Sequence, residues 1–180
     1  MNLLYNINMR SFHSHGSGKF TVDQFKTIGQ HVIFETGVLV FHPEHIIIGN
    51  NVYVGHRTIL KGYYQNTLKI GNDVWIGQEC FLHSGGGIVI EDKVGLGPRV
   101  MLLTIIHKEQ GFTGPIIDAP QIGGQINIET GCDIGVGTII LPGVTIGKYS
   151  QIGAGSVITK NIPSFSVAAG VPAKILRSRK

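Results

Sequence analysis

Four short stretches carry side chains able to move a proton or grip a sugar-like ring. The longest, MLLTIIHKEQGFTGPIIDAP at 101–120, holds His107 followed by Lys108 and Glu109. The others are HPEH with His42 and His45, GYYQN with Tyr63 and Tyr64, and LHSGGG with His83. An imidazole titrates near neutral pH, so a histidine held beside a reacting hydroxyl can take its proton. Glu79 and Glu109 are the carboxylates that could orient His107, and the sequence does not choose between them. His83 could contact a substrate, orient the base or serve structure alone. His42, His45 and His56 could touch a ligand, and the tyrosine pair could stack on a ring or pack the surface.

What must position these residues is an internal repeat. Every sixth residue from Ile122 to Ile158 is isoleucine: Ile122, Ile128, Ile134, Ile140, Ile146, Ile152 and Ile158. Upstream, Val22, Ile28, Phe34 and Val40 share one register, followed by Ile48, Val54 and Leu60, then Ile70, Ile76 and Leu82, then Ile90, Leu96 and Leu102. A period of six suits neither a helix nor a simple exposed strand. It predicts short strands joined by tight corners, each placing one aliphatic side chain in a central core, with three hexads per triangular coil and coils about 4.8 Å apart. The 26 glycines, twice the usual share of about 7%, fit such corners. Four places after a repeat position the residues are small: Cys80, Cys132, Thr138, Val144, Ser150 and Ser156. A crowded inward corner requires this, so both cysteines are expected as reduced core residues of a cytoplasmic protein.

The breaks in the repeat fall at 40–48, 60–70, 82–90 and 102–122, inserting 2, 4, 2 and 14 residues beyond the six. They follow the fourth, seventh, tenth and thirteenth hexads, so with three hexads per coil all four project from one edge. That edge collects the four chemistry-bearing stretches, with 103–121 as its long loop. Loops held by a rigid scaffold are where binding and catalytic groups concentrate.

Other classes are poorly served. The formal charge of +4 is mild, and the basic tail KILRSRK lacks the interleaved aromatics of a nucleic-acid groove, so no nucleic-acid partner is expected. The N-terminal apolar run is too short for a secretory signal and nothing downstream is long enough for a membrane span, which points to a cytoplasmic location.

The strings IGKYSQIGAGSVITKNIP and AAGVPAKILRSRK resemble the hexapeptide-repeat acyltransferases, especially sugar O-acetyltransferases of the maltose, galactoside and capsule or lipopolysaccharide type. The resemblance covers most of 22–177. It implies an all-β, left-handed parallel β-helix, a homotrimer, and acetyl-CoA in the grooves between subunits with no metal. The division that follows is an N-terminal segment 1–21, a repeat domain 22–162 carrying the projecting loop 103–121, and a tail or short helix over 163–180. In that family the long loop carries a catalytic histidine, which here corresponds to His107, with His83 as a second candidate. Matching motif by motif places Val136 and Ala154 beside the pantetheine arm through their backbones, and Thr159 and Lys160 near the nucleotide end. A lysine suits a phosphate as a point charge. The family frequently has a polar residue before its base, where this chain has Ile105 and Ile106, and often Val-Trp where this chain has Cys132 and Asp133.

The function this implies is acetyl-CoA-dependent O-acetylation of a sugar, glycan or nucleotide-sugar hydroxyl by direct transfer, with a histidine general base. N-acetylation of an amino-sugar nucleotide is the alternative, since base and groove serve both. A zinc enzyme like the γ-class carbonic anhydrases would use the same scaffold, but His42, His45 and His107 share no three-ligand pattern. A non-catalytic assembly subunit is the remaining class.

Overall fold

The computed structural model describes residues 12–63 and 65–180, which leaves Tyr64 outside the described residues. The chain winds as a left-handed parallel β-helix with three flat faces. The first face stacks six strands from Thr27–Ile28 to Thr145–Ile146 and the third stacks six from Leu39–Phe41 to Val157–Ile158. The second carries eight, ending in Ser166–Gly170 and Ala173–Ser178.

The six-residue period does what it predicts. On the first face Ile28, Ile48, Ile70, Ile90, Ile128 and Ile146 lie directly above one another in register. Ile48, Ile70, Ile90, Ile128 and Ile146 are at most 1% exposed, so the column forms one wall of the core. Burying each such side chain contributes about 1.5–3 kcal/mol relative to leaving it exposed. Cys80, Cys132, Thr138, Val144, Ser150 and Ser156 are all buried, as small inward residues near a corner.

Two repeat assignments do not hold. Val22 is exposed in a short 3₁₀ turn, Val22–Gln24, below the first coil. The base of the core is instead closed by Phe20, Phe25 and Phe34, whose rings lie 5.0–5.6 Å apart. Ile122 is 45% exposed and sits in an antiparallel ribbon, opposite Ile106. The coil leaves the third face at Leu102 and rejoins the first at Ile128, so the long insertion extends to residue 125 and the isoleucine run in the core begins one hexad later. An Ile-Gly pair mimics a corner, but here it feeds a hairpin.

The corners themselves follow a rule. The third residue after each inward position adopts positive φ wherever the hexad is unbroken: Asn51, Asp73, Glu79 and Arg99 at 54–61°, and Gly137 and Gly155 at 69° and 67°. A left-handed conformation costs a non-glycine residue about 1–2 kcal/mol. Side-chain ladders between coils offset part of that. Asn51 Nδ2 donates to Asp73 Oδ1 at 2.7 Å, and the Asn50 and Asn72 amides donate to Asn72 Oδ1 and Asp92 Oδ1 one coil further on.

The C-terminal residues form neither a loose tail nor a helix. Ser166–Gly170 joins the second face in parallel with Gln151–Ile152, and Ala173–Ser178 turns back antiparallel to it. The end is fastened at Tyr149 and Phe165. Arg179 donates to the Tyr149 carbonyl, and Lys180 Nζ lies 3.9 Å over the Phe165 ring. No helix among the described residues is long and apolar enough to cross a membrane.

Candidate active site

All four insertions project from the edge between the third and first faces, as the register count requires. The long one begins at Thr104, which is fully buried and staked to the coil below. Its Oγ1 donates to the His83 carbonyl at 2.5 Å and accepts from the Gly86 amide at 2.8 Å, while its carbonyl accepts from Gly124 at 3.0 Å. From that root the chain forms a two-stranded ribbon, Ile105–His107 against Gln121–Gly123, with His107 opposite Gln121. The turn Ile116–Asp118 then brings the buried Ala119 beside the ribbon.

His107 Nδ1 lies 3.0 Å from the Ala119 carbonyl oxygen. A carbonyl only accepts, so Nδ1 carries the proton and Nε2 is left with a free lone pair. The orienting group is therefore neither of the expected carboxylates. Glu79 lies on a different edge, gripped by Arg99 Nε at 2.7 Å and by the Arg57 guanidinium. Those hydrogen bonds, Arg99 first, hold its carboxyl below the usual range.

His83 and His107 line one cavity of about 240 Å³ together with Tyr63, Phe81 and Gln121. The His83 ring is half-buried, 5.4 Å from Tyr63 and 5.8 Å from Phe81. Burial, then the charge of Lys61, pushes its pKa below the ordinary 6.5 and favours the neutral ring. Three other histidines lie close to carboxylates. His42 Nδ1 is 3.3 Å from Glu44, His45 Nε2 is 3.9 Å from the same carboxylate, and His56, on the far edge, lies 3.4 Å from Glu35.

The residues expected near a coenzyme fall on two edges. Val136 and Ala154 are exposed one coil apart on the edge between the second and third faces. Among the described residues their N–H groups have no acceptor, whereas Gly137 and Gly155 donate to Pro98 and Val136 at 2.8 Å. Two free donors on a small-residue corner fit an extended arm rich in amides. Thr159 and Lys160 are exposed on the last coil at the loop-bearing edge, across the third face from that corner. One copy of the chain thus brings His83 and His107 together but does not join Val136 and Ala154 to them.

Two residues escaped the sequence reading. His13 and His15 line a second cavity, of about 440 Å³, that also contains His107 and Gln121. Their HSHGSG context has no periodicity to mark it, and a backbone carbonyl such as that of Ala119 has no residue-type signal at all. Both cysteine thiols are pushed up to about 11, chiefly by burial, so neither can serve as a nucleophile near neutral pH.

Comparison with known proteins bears on the fold and the family. The family profile described as hexapeptide repeat of succinyl-transferase matches residues 125–160. A Schizosaccharomyces pombe protein named as an acetyltransferase is 38% identical over 120 residues, 63% of this chain and 54% of that protein, so the chain spans a little over half the length of such relatives. Galactoside O-acetyltransferase of Escherichia coli K12 is 33% identical over 181 residues, covering 97% of this chain and 75% of its own. A crystal structure of a variant of AntD, an N-acyltransferase from Bacillus cereus, in complex with dTDP and coenzyme A superposes with a TM-score of 0.79 at 27% identity, over 88% of this chain and 86% of that one. Matched along nearly its whole length at a third of its positions, this chain belongs to the hexapeptide-repeat acetyltransferase family.

Proposed function

We propose that the protein transfers an acetyl group from acetyl-CoA to a hydroxyl of a sugar, glycan or nucleotide sugar, with His107 as general base. The observation that carries the reading is the 3.0 Å contact between His107 Nδ1 and the Ala119 carbonyl, which leaves Nε2 able to accept a proton. The acceptor O–H gives its proton to Nε2 as its oxygen bonds to the thioester carbonyl carbon. The resulting tetrahedral oxyanion collapses, the C–S bond breaks, and the departing thiolate takes the proton from the imidazolium. Atoms and charge balance without a covalent enzyme intermediate, consistent with two inert, buried thiols. His83, kept neutral at the same cavity, contacts the acceptor.

Val136 and Ala154 would bind the pantetheine amides, and Lys160 a nucleotide phosphate with Thr159 beside it. These groups and His107 occupy two edges of one prism, so a groove uniting them needs a second copy, which supports a homotrimer. A column on the second face, with Ile33 and Trp75 exposed and the half-buried Tyr53 between them, its two rings stacked at 6.0 Å, offers apolar surface for such packing. The likeness to AntD, an N-acyltransferase also crystallised with dTDP-4-amino-4,6-dideoxyglucose and coenzyme A, supports N-acylation of an amino-sugar nucleotide as the second reading, since the same base would serve an amine.

The test is His107→Ala with thiol release followed across sugars and sugar nucleotides. The expected loss is about 10²- to 10⁴-fold in kcat, with secondary structure and assembly state retained. An undiminished rate would remove His107 from the chemistry.

A further inference from the structure

We infer that the C-terminal end of the β-helix docks on an anionic lipid bilayer, with Ile175 and Leu176 entering the boundary between headgroups and acyl chains and the cations around them facing the lipid charge. The proposal is independent of the transferase reading. It starts from how charge is distributed along the chain. Six of the 15 cationic residues fall in 148–180, a stretch with no Asp or Glu, which leaves nine cations against eleven carboxylates for 1–147. The formal +4 therefore divides into +6 at the end of the stack and −2 over the rest. Charge gathered at one end of a chain marks a surface suited to an anionic partner.

Four of the six, Lys174, Arg177, Arg179 and Lys180, lie on or just after the terminal strand Ala173–Ser178, and all are exposed. None of the four forms an ion pair among the described residues. Lys160 is set aside for the coenzyme, and Lys148 is partly balanced by Glu129 of the coil beneath, whose carboxylate accepts from the Lys148 amide at 2.9 Å. The other carboxylate of that coil, Asp133, is too far away to balance the hairpin. Asp133 pairs with Gln151, Gln151 with Val167 and Val167 with Arg177. Three strand spacings make about 14 Å, against a screening length of about 8 Å in physiological salt.

Apolar side chains stand among these cations. Val171, Ile175 and Leu176 are 70%, 53% and 64% exposed. Leu176 falls at the register shift of the hairpin and has no partner across it. Ile175 lies opposite the buried Ala168, so it overhangs the end of the core. Scattered apolar residues are ordinary on a surface, but here they share one hairpin with four unpaired cations. Apolar area to bury and attraction to anionic lipid are the two signals that together hold a protein at a membrane surface. Nucleic acid is a poorer match, because phosphodiesters offer apolar side chains nothing to enter. The rings at this end, Tyr149 and Phe165, pack on each other at 5.1 Å with Lys180 over Phe165, rather than standing open to bases. The outer edge of Ala173–Ser178 pairs with no further strand among the described residues, so its N–H groups belong among headgroup oxygens and the contact stays interfacial.

The experiment sediments the full chain, saturated with coenzyme A, with sucrose-loaded vesicles of phosphatidylcholine alone or mixed with about 30% phosphatidylglycerol. Binding to the anionic vesicles is expected to be about tenfold or more tighter than to neutral ones, and to fall about tenfold or more between about 0.1 and 0.5 M NaCl. Leu176→Ser should weaken it about fivefold or more, with secondary structure and solution size unchanged. Leu176→Trp should bind at least as tightly and move its emission to the blue with anionic vesicles alone, after the wild-type signal of Trp75 is subtracted. No binding to anionic vesicles, equal binding to neutral ones, binding that Leu176→Ser leaves untouched, an unmoved Leu176→Trp emission, or duplex DNA bound as tightly as the vesicles would each overturn the proposal. None of these measurements uses thiol release, so the transferase reading stands or falls separately.

Discussion

The two histidines of the shared cavity are tuned by different means. His107 is set by a hydrogen bond to backbone, so its tautomer depends on the path of the ribbon and the 116–118 turn rather than on any one side chain. His83 is set by its surroundings, first burial and then the charge of Lys61. Its folded-state pKa lies below 6.5 while the unfolded chain titrates at about the ordinary value. The unfolded state therefore binds the proton first. The stability that depends on a neutral His83 is present above about pH 6.5 and is lost as pH falls from there toward the lowered value. His83→Gln is expected to flatten that part of the stability curve, measured as denaturation midpoint against pH, whereas Lys61→Met should flatten it only in part because burial is the larger cause. A curve unchanged by His83→Gln would place the acid sensitivity elsewhere. At this scale the sequence supplied His83 and His107 through position in the repeat. It could not supply the Ala119 carbonyl, which every residue type carries, nor His15, whose segment has no pattern to break.

At the scale of elements, the six-residue repeat writes two separate glycine requirements that look alike in sequence. Gly137 is left-handed, and a Cβ added there would meet only open space, so Gly137→Ala meets only the backbone cost, about 1–2 kcal/mol. Gly135 has ordinary φ, but a Cβ there would lie 2.5 Å from the Ala154 amide nitrogen of the next coil. Gly135→Ala must prise two coils apart and should cost more than Gly137→Ala, read as the difference in chemical denaturation midpoints at equal m-value. Equal costs would mean the coil spacing is softer than a close-packed ladder allows. The stacking of four insertions on one edge was legible because counting by three needs no structure. The true end of the long insertion was not, because Ile122-Gly123 copies the corner signal while its partner Ile106 lies across a hairpin. Local residue type and long-range pairing disagree there, and pairing wins.

At the scale of the whole molecule, parallel coils form a one-dimensional stack in which each turn touches only its neighbours. Such a stack has an intrinsic problem, since its last turn presents the same unpaired backbone as every turn before it. The terminal hairpin answers this. Ala173–Ser178 lies over the final parallel strand in the opposite direction, with Lys174 and Arg177 along it and Arg179 and Lys180 tied back to Tyr149 and Phe165. Deleting 171–180 should leave the coils wound but uncover Ser166–Gly170 as a parallel edge, giving concentration-dependent growth in light scattering. A truncated protein of unchanged size at every concentration would deny the hairpin this role. At the opposite end, among the described residues, the Phe20, Phe25 and Phe34 rings close the core with side chains rather than with a strand. The repeat thus specifies a form that could be extended without limit, and a reversed strand of six residues at one end with three rings at the other gives it a length. A stack of fixed height rather than a fibre results from how the winding is stopped.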